Sequence, residues 1–186
     1  MNSAKTLIVV HSSPEFDDAR KGIRESWTTS VNANYPDISV VFMLGTHGDK
    51  TLMARVKDEA ERFDDLVLVP VKDHYNNLTL KSIYALKYFA FNPWKVKPTI
   101  LFKIDDDSYV NVKALDRTLR AFDTRKPFIM GHAFGMDNKP IFPHRVPRSK
   151  RRTKFVKKWM CPAYMFNGRE YPKMVSGSGY IMNQEV

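Results

Sequence analysis

Three consecutive acids, Asp105, Asp106 and Asp107, follow directly on the apolar run Thr99–Ile104 (TILFKI). Side by side at the end of a buried strand, their carboxylates repel one another strongly without a counter-ion. A hard divalent cation with oxygen ligands supplies one and leaves coordination positions open for a substrate phosphate. A solvated turn, or an N-cap cluster for the helix after Asn111, uses the same residue types; the place behind a buried strand favours the cation. Arg20 and Arg24 are four apart on a predicted helix, with Trp27 on the same face. Two guanidiniums so placed can hold a diphosphate bidentately. Taken alone, the pair reads first as a solvated basic face over an interior tryptophan, and Lys81 as an ordinary solvent-facing lysine. The segment Val175–Ile181 (VSGSGYI) offers glycines that let backbone approach a ligand closely. A hairpin turn is its simpler reading, and it does not match a dinucleotide fingerprint, which would follow the first strand.

These groups meet only if the elements carrying them end near one another. Four β-branched-rich runs, Thr6–His11, Ile38–Leu44, Leu66–Pro70 and Thr99–Ile104, are nearly continuous rather than alternating. That is the pattern of strands covered on both faces. Helical patterns lie between them. Asp17 or Asp18 can cap a helix carrying Ile23 and Trp27. Asp49 can cap one with the stripe Leu52, Val56, Ala60 and Phe63. Asn76 or Asn77 can cap a third with Leu80, Ile83, Leu86 and Ala90 inward. The alternation predicts an α/β fold built on a mostly parallel sheet with helices on both faces. Ligands bind such a sheet outside the carboxyl ends of its strands. Four segments fall there: His11–Pro14, Gly45–Gly48, Val71–Asn76 and Asp105–Asp107. After Asn111 a helix over Val112–Phe122 and a strand over Phe128–His132 are expected. Irregular strands and loops around Trp159, Tyr164 and Tyr171 then join one sheet edge. With no repeat and no boundary, a single domain over 1–186 is expected, with a basic loop at 143–158 inside it.

At 186 residues, 43% hydrophobic and 27% charged, the chain has the makeup of a folded domain with a sizeable core, which excludes disorder and collagen-like repetition. No apolar run reaches the length of a membrane span. One cysteine, Cys161, excludes an internal disulfide framework and a cysteine-cluster zinc site. The net charge of +10 invites a nucleic-acid reading, yet eight of those charges lie between Arg145 and Lys158, where there is no acid. The excess is one tract, not a basic face, and it carries few stacking aromatics.

Five motifs occur in order: Arg20-x-x-Ile23-Arg24-x-x-Trp27; Phe42-x-x-Gly45; Asp73-x-Tyr75-x-Asn77-Leu78-Thr79-Leu80-Lys81; Lys103-x-Asp105-Asp106-Asp107; and Tyr171-Pro172 followed by Ser176-Gly177-x-Gly179-Tyr180. In this combination the chain, from about Leu7 to Ile181, resembles the β-1,3-galactosyltransferase and β-1,3-N-acetylglucosaminyltransferase family, the fringe-related glycosyltransferase family 31. The resemblance implies a GT-A fold, a Rossmann-like nucleotide-sugar domain. It implies a manganese-dependent, inverting transfer of galactose or N-acetylglucosamine from a UDP-sugar to a glycan acceptor in β-1,3 linkage, in protein glycosylation.

By the same resemblance Asp107 ligates Mn²⁺, with Asp105 supporting the metal or contacting the ribose side, and Asp106 completes the motif. Arg20 and Arg24 line the nucleotide site, Asp73 and Lys81 stand near donor or diphosphate, and Trp159, Gly177 and Gly179 belong to the sugar-pocket wall. The chain is expected to be a stretch of a longer Golgi type II membrane protein. Its anchor would lie outside this stretch and its catalytic base beyond Val186. The expected partners are UDP-galactose or UDP-N-acetylglucosamine and a glycan on glycoprotein or glycolipid, not nucleic acid. The competing readings are a nucleic-acid-binding α/β module using the basic tract and a magnesium phosphotransferase using the acidic triplet.

Overall fold

The computed structural model describes residues 5–135, 141–143, 161 and 163–185. The element order is β1 (Thr6–His11), α1 (Asp17–Glu25), α2 (Trp27–Asn34), β2 (Ile38–Thr46), α3 (Lys50–Phe63), β3 (Leu66–Lys72), a 3₁₀ turn (Tyr75–Asn77), α4 (Leu78–Phe91), β4 (Ile100–Asp105), α5 (Val112–Ala121), β5 (Ile129–Phe134) and β6 (Met174–Asn183). The sheet runs β3-β2-β1-β4-β6-β5, with β1 parallel to β2 and β4, β2 parallel to β3, and β6 antiparallel to β4. The expected mostly parallel α/β sheet is thus present. All four strands read from apolar runs are there, three of them extended by one or two residues at the carboxyl end.

Strand β1 is the spine. Leu7, Ile8, Val9 and Val10 are each 0% exposed, because helices cover both faces. Ile8 and Val10 join Ile23, Trp27, Phe42, Val56, Ile104 and Leu115 in one core layer, against α1, α2, α3 and α5. Leu7 and Val9 join Met43, Val69, Val71, Ala85, Phe89 and Leu101 in the other, against α4. Fully burying each such side chain contributes about 1.5–3 kcal/mol, so the middle of the sheet is its most strongly held part. Contacts divide the chain into two compact units, residues 1–130 with 177–186, and residues 131–176. In the second, the rings of Phe166 and Tyr171 lie 5.0 Å apart and Gly135 turns the chain at φ +74°. The basic loop from residue 144 onward, and Trp159 with it, lies outside the described residues.

Three expectations need correction. The helix over Ile23 and Trp27 breaks at Ser26, because hydroxyls of Ser26 and Thr28 take the Ile23 carbonyl that the next turn would use. Its N-cap is Phe16, with no side-chain cap from Asp17 or Asp18. Helix α4 is rotated from the expected stripe: Lys81, Ala85 and Phe89 point inward, while Leu80, Ile83 and Leu86 are exposed. Lys81 sets that rotation by reaching polar partners at the strand ends. Finally, the Ser176–Gly179 glycines lie inside β6 rather than in a hairpin turn. Asp49, by contrast, caps α3 as expected, accepting from the backbone N–H groups of Thr51 and Leu52.

Candidate functional site

The parallel strands deliver their carboxyl ends to one place, and backbone bonds lock those ends together. The Ser12 N–H donates to Met43 O, Asp73 N–H to Thr46 O, and Asp106 N–H to His11 O. Gly45 makes the approach of β2 and β3 possible: a Cβ there would stand 2.3 Å from Val71 O and 3.0 Å from Asp73 N. Its N–H donates to Asp73 Oδ2 at 2.8 Å.

On the face covered by α4, alternation along β1 and β4 places His11, Lys103 and Asp105 above the apolar layer of Leu7, Val9 and Leu101. Two buried lysines hold this polar layer. Lys81 donates to both oxygens of Asp73, at 2.7 and 2.8 Å, and to Ser12 O at 2.7 Å. Lys103 donates to Asp105 Oδ1 and to the Gly177 carbonyl on β6. His11 lies among them with neither ring nitrogen partnered. Burial, then the charges of Lys103 and Lys81, push its pKa down to about 3, so the ring is neutral. Burial, opposed by a Ser12 hydrogen bond and helped by the neighbouring Asp107 and Asp105, holds Asp106 above the usual carboxylate range.

The sequence-derived site residues separate into two groups. Asp73, Lys81, Asp105, Asp106, Asp107 and Gly177 come together at the strand ends, and Gly179 is registered against Ile104 one step along β6. Arg20 and Arg24 do share a face of α1, but every guanidinium nitrogen already has a protein partner. Arg20 grips Glu59 at 2.8 and 2.6 Å and donates to Ser12 Oγ and Ser13 O. Arg24 grips Asp65 at 2.8 and 2.7 Å and Glu59 at 2.8 Å. Burial pushes Glu59 up, yet the two arginines outweigh it and hold it below its ordinary range. With Arg20 0% exposed, the arginines act as a staple between α1, α3 and the loop after β1, in place of an open fork for a diphosphate. The expected counter-ion of the triplet is likewise already supplied on one side, since Asp105 faces the Lys103 ammonium.

Sequence reasoning missed Lys103 and Glu59 as members of these networks. Each had a signal: Lys103 is a lone charge in a strand buried on both faces, and Glu59 follows Val56 by three on the inward stripe of α3.

The acidic turn retains hard oxygen donors. Asp106 Oδ2 is buried without a hydrogen bond, and Asp107 is exposed. These fit a divalent cation. Among the described residues no group of three or more His, Cys, Asp or Glu side chains is arranged around one point.

Comparison with known proteins identifies the family of the chain. A family profile described as Galactosyltransferase matches residues 18–186. Human and mouse β-1,3-galactosyltransferase 1 are each 30% identical over 182 residues, 97% of this chain and 51% of theirs. Mouse N-acetyllactosaminide β-1,3-N-acetylglucosaminyltransferase 4 is 27% identical over 96% of this chain and 47% of its own. The chain therefore spans about half the length of the curated relatives it matches. Among solved structures, S. aureus TarS 1-349 aligns over 96% of this chain and 47% of its own at 13% identity and TM-score 0.46. The Pyrobaculum calidifontis mannosyltransferase PcManGT, in complex with GDP-Man and Mn²⁺, aligns over 100% and 46% at 15% identity and TM-score 0.43.

Proposed function

The chain belongs to the galactosyltransferase family, and from that premise we propose that it is part of a β-1,3-hexosyltransferase that takes galactose or N-acetylglucosamine from UDP and delivers it to a glycan hydroxyl with inversion. The observation that carries this reading is the convergence of Ser12, Asp73, Lys81, Asp105–Asp107 and Gly177 at the strand ends, where α/β sheets bind nucleotides. The names of the relatives support the two donor sugars. Residues 1–186 are read as belonging to one glycosyltransferase domain. The family resemblance supports a luminal Golgi location with a membrane anchor supplied outside this chain; among the described residues no helix is long and apolar enough to cross a membrane. The nucleic-acid and phosphotransferase readings gain no support from the comparisons.

In this reading Asp107, with Asp106 beside it, would hold Mn²⁺. When bound, the cation stabilises negative charge on the departing β-phosphate. The Lys81–Asp73 pair fixes the loop after β1 through Ser12 O, and Arg20 fixes it from the other side through Ser12 Oγ and Ser13 O. Gly177 and Gly179 leave room at the sugar: a Cβ on Gly177 would meet nothing within 4 Å, and one on Gly179 only ordinary contacts from 3.6 Å. Trp159 is assigned to the same wall by resemblance. The acids of the strand ends are committed to these duties, Asp73 to Lys81 and Gly45, Asp105 to Lys103, and Asp107 to the cation. None of these three acids is accordingly assigned as the base that removes the acceptor proton.

Competition binding tests the donor class. UDP-galactose and UDP-N-acetylglucosamine should displace a fluorescent UDP probe in the presence of Mn²⁺, while GDP-mannose and ATP should not. Equal displacement by all four would overturn the reading.

A further inference from the structure

The sequence holds one Asn-x-Ser/Thr triplet, Asn77-Leu78-Thr79. The candidate site uses Asp73 and Lys81 on either side of it and none of its three residues. A folded protein keeps an N-linked glycan on such a triplet only where the asparagine amide stands at the surface. Asn77 ends the 3₁₀ turn after β3 and is the N-cap of α4. An asparagine in that place ordinarily accepts from the second or third backbone N–H of its helix. Asn77 makes no capping bond with its side chain. Its amide turns back instead, and Nδ2 donates to Lys72 O at 2.9 Å in an exposed position. Asn77 itself is partly buried, but His74, Tyr75, Asn76, Thr79 and Leu80 around it are all exposed. It shares a stripe with Lys81, Ala85 and Phe89, and that stripe goes inward only from Lys81, a full turn further on.

We propose that Asn77 is the N-glycan acceptor of this chain in the secretory lumen. In the transfer, Nδ2 forms a bond to the anomeric carbon of an oligosaccharide carried on a lipid diphosphate, the co-reactant of a membrane oligosaccharyltransferase. The bond from that carbon to the diphosphate oxygen breaks. The lipid diphosphate leaves with the electron pair, and the amide gives up one proton. Nδ2 starts with two hydrogens, so the modified amide keeps one, enough for its single bond to Lys72 O. The turn after β3 therefore survives the modification, and the glycan stands at the end of the outermost strand of the sheet. The compartment rests on the luminal reading above. The acceptor role is measured separately, with the chain carried into the lumen by an added leader.

Translation of the chain behind a cleavable secretory leader, with microsomes present, should give one heavier species. Peptide-N-glycosidase F should return it to the unmodified mobility. Asn77→Gln and Thr79→Ala should each abolish the shift; these variants are read by mobility alone, so a loss of folding does not obscure the result. Secreted from cells with the same leader, soluble chain should yield the tryptic peptide 73–81 deamidated at Asn77 after treatment with that enzyme. No shift in the leader-bearing chain overturns the proposal, as does a shift that persists in Asn77→Gln, or a glycan confined to aggregated chain. A chain glycosylated behind the leader, whose parent protein fractionates with the cytosol, would refute the luminal reading and uphold Asn77 as a competent acceptor.

Discussion

Replacing Glu59 with leucine removes the acid on which both α1 arginines converge. Its carboxylate holds Arg20 through Nε at 2.8 Å and Nη2 at 2.6 Å, and Arg24 through Nη1 at 2.8 Å. Arg24 keeps Asp65 after the change and is partly exposed, so its loss is small. Arg20 has a side chain with 0% exposure and keeps only Ser12 Oγ and Ser13 O. An uncompensated buried charge of this kind costs about 3–5 kcal/mol. Against a typical domain stability of about 5–15 kcal/mol, that is a large share. Urea unfolding at pH 7, followed by tryptophan fluorescence, should show Glu59→Leu losing this amount at an unchanged m-value. The double variant Arg20→Met with Glu59→Leu removes both charges and should recover at least half of the loss. It should nonetheless bind UDP more weakly than the parent, because nothing then holds Ser12 and Ser13 from the α1 side. A cost below about 1 kcal/mol for Glu59→Leu, or a double variant no more stable than the single, would refute the staple.

Gly45→Ala should cost about 3 kcal/mol or more and disturb Asp73, since its Cβ would meet backbone, not a movable side chain, at 2.3 Å. Thermal melting checks the first part and UDP titration the second. Gly177→Ala should leave the melting temperature within about 2 °C of the parent while weakening UDP-sugar more than UDP; equal weakening of the two ligands would place that glycine away from the sugar. His11 is neutral in the fold and takes up a proton more readily when unfolded, so its contribution is present above pH 6.5 and is lost as pH falls toward 3. By pH 4.5 the loss is about 2–3 kcal/mol. His11→Leu gives up no hydrogen bond and should remove that loss. Asp106, raised by burial, has the opposite slope, so the histidine is isolated by comparing variant and parent melts at pH 7.5 and 4.5, and parallel profiles would contradict the assignment.

What the sequence makes legible here is whatever rests on local pattern. The runs TLIVVH and TILFKI read as doubly covered strands, and the register of His11 against Asp105 places their ends side by side. The segment after each parallel strand therefore lands at the candidate site as expected. The inward face of α4 was not legible, because Leu80, Ile83 and Leu86 make a stronger apolar stripe than Lys81, Ala85 and Phe89. A buried ion pair decided the rotation, and its partner Asp73 is set by the approach of β2 and β3. The arginines misled for a related reason. Their spacing on one helix shows a shared face, but the acids that occupy them, Glu59 and Asp65, come from α3 and the turn behind it. Strand β6 was hidden by its glycines, which suit a turn as well as a strand paired with β4.

The central claim is that the acidic turn and the polar layer beside it bind a nucleoside diphosphate together with a divalent cation. Isothermal titration of UDP into the chain tests it most directly, in Mn²⁺, in EDTA, and in Mn²⁺ with Asp107→Ala. The account predicts binding in Mn²⁺ at least tenfold tighter than in EDTA, with Asp107→Ala in Mn²⁺ reduced to the EDTA level. Equal affinity under all three conditions would contradict it.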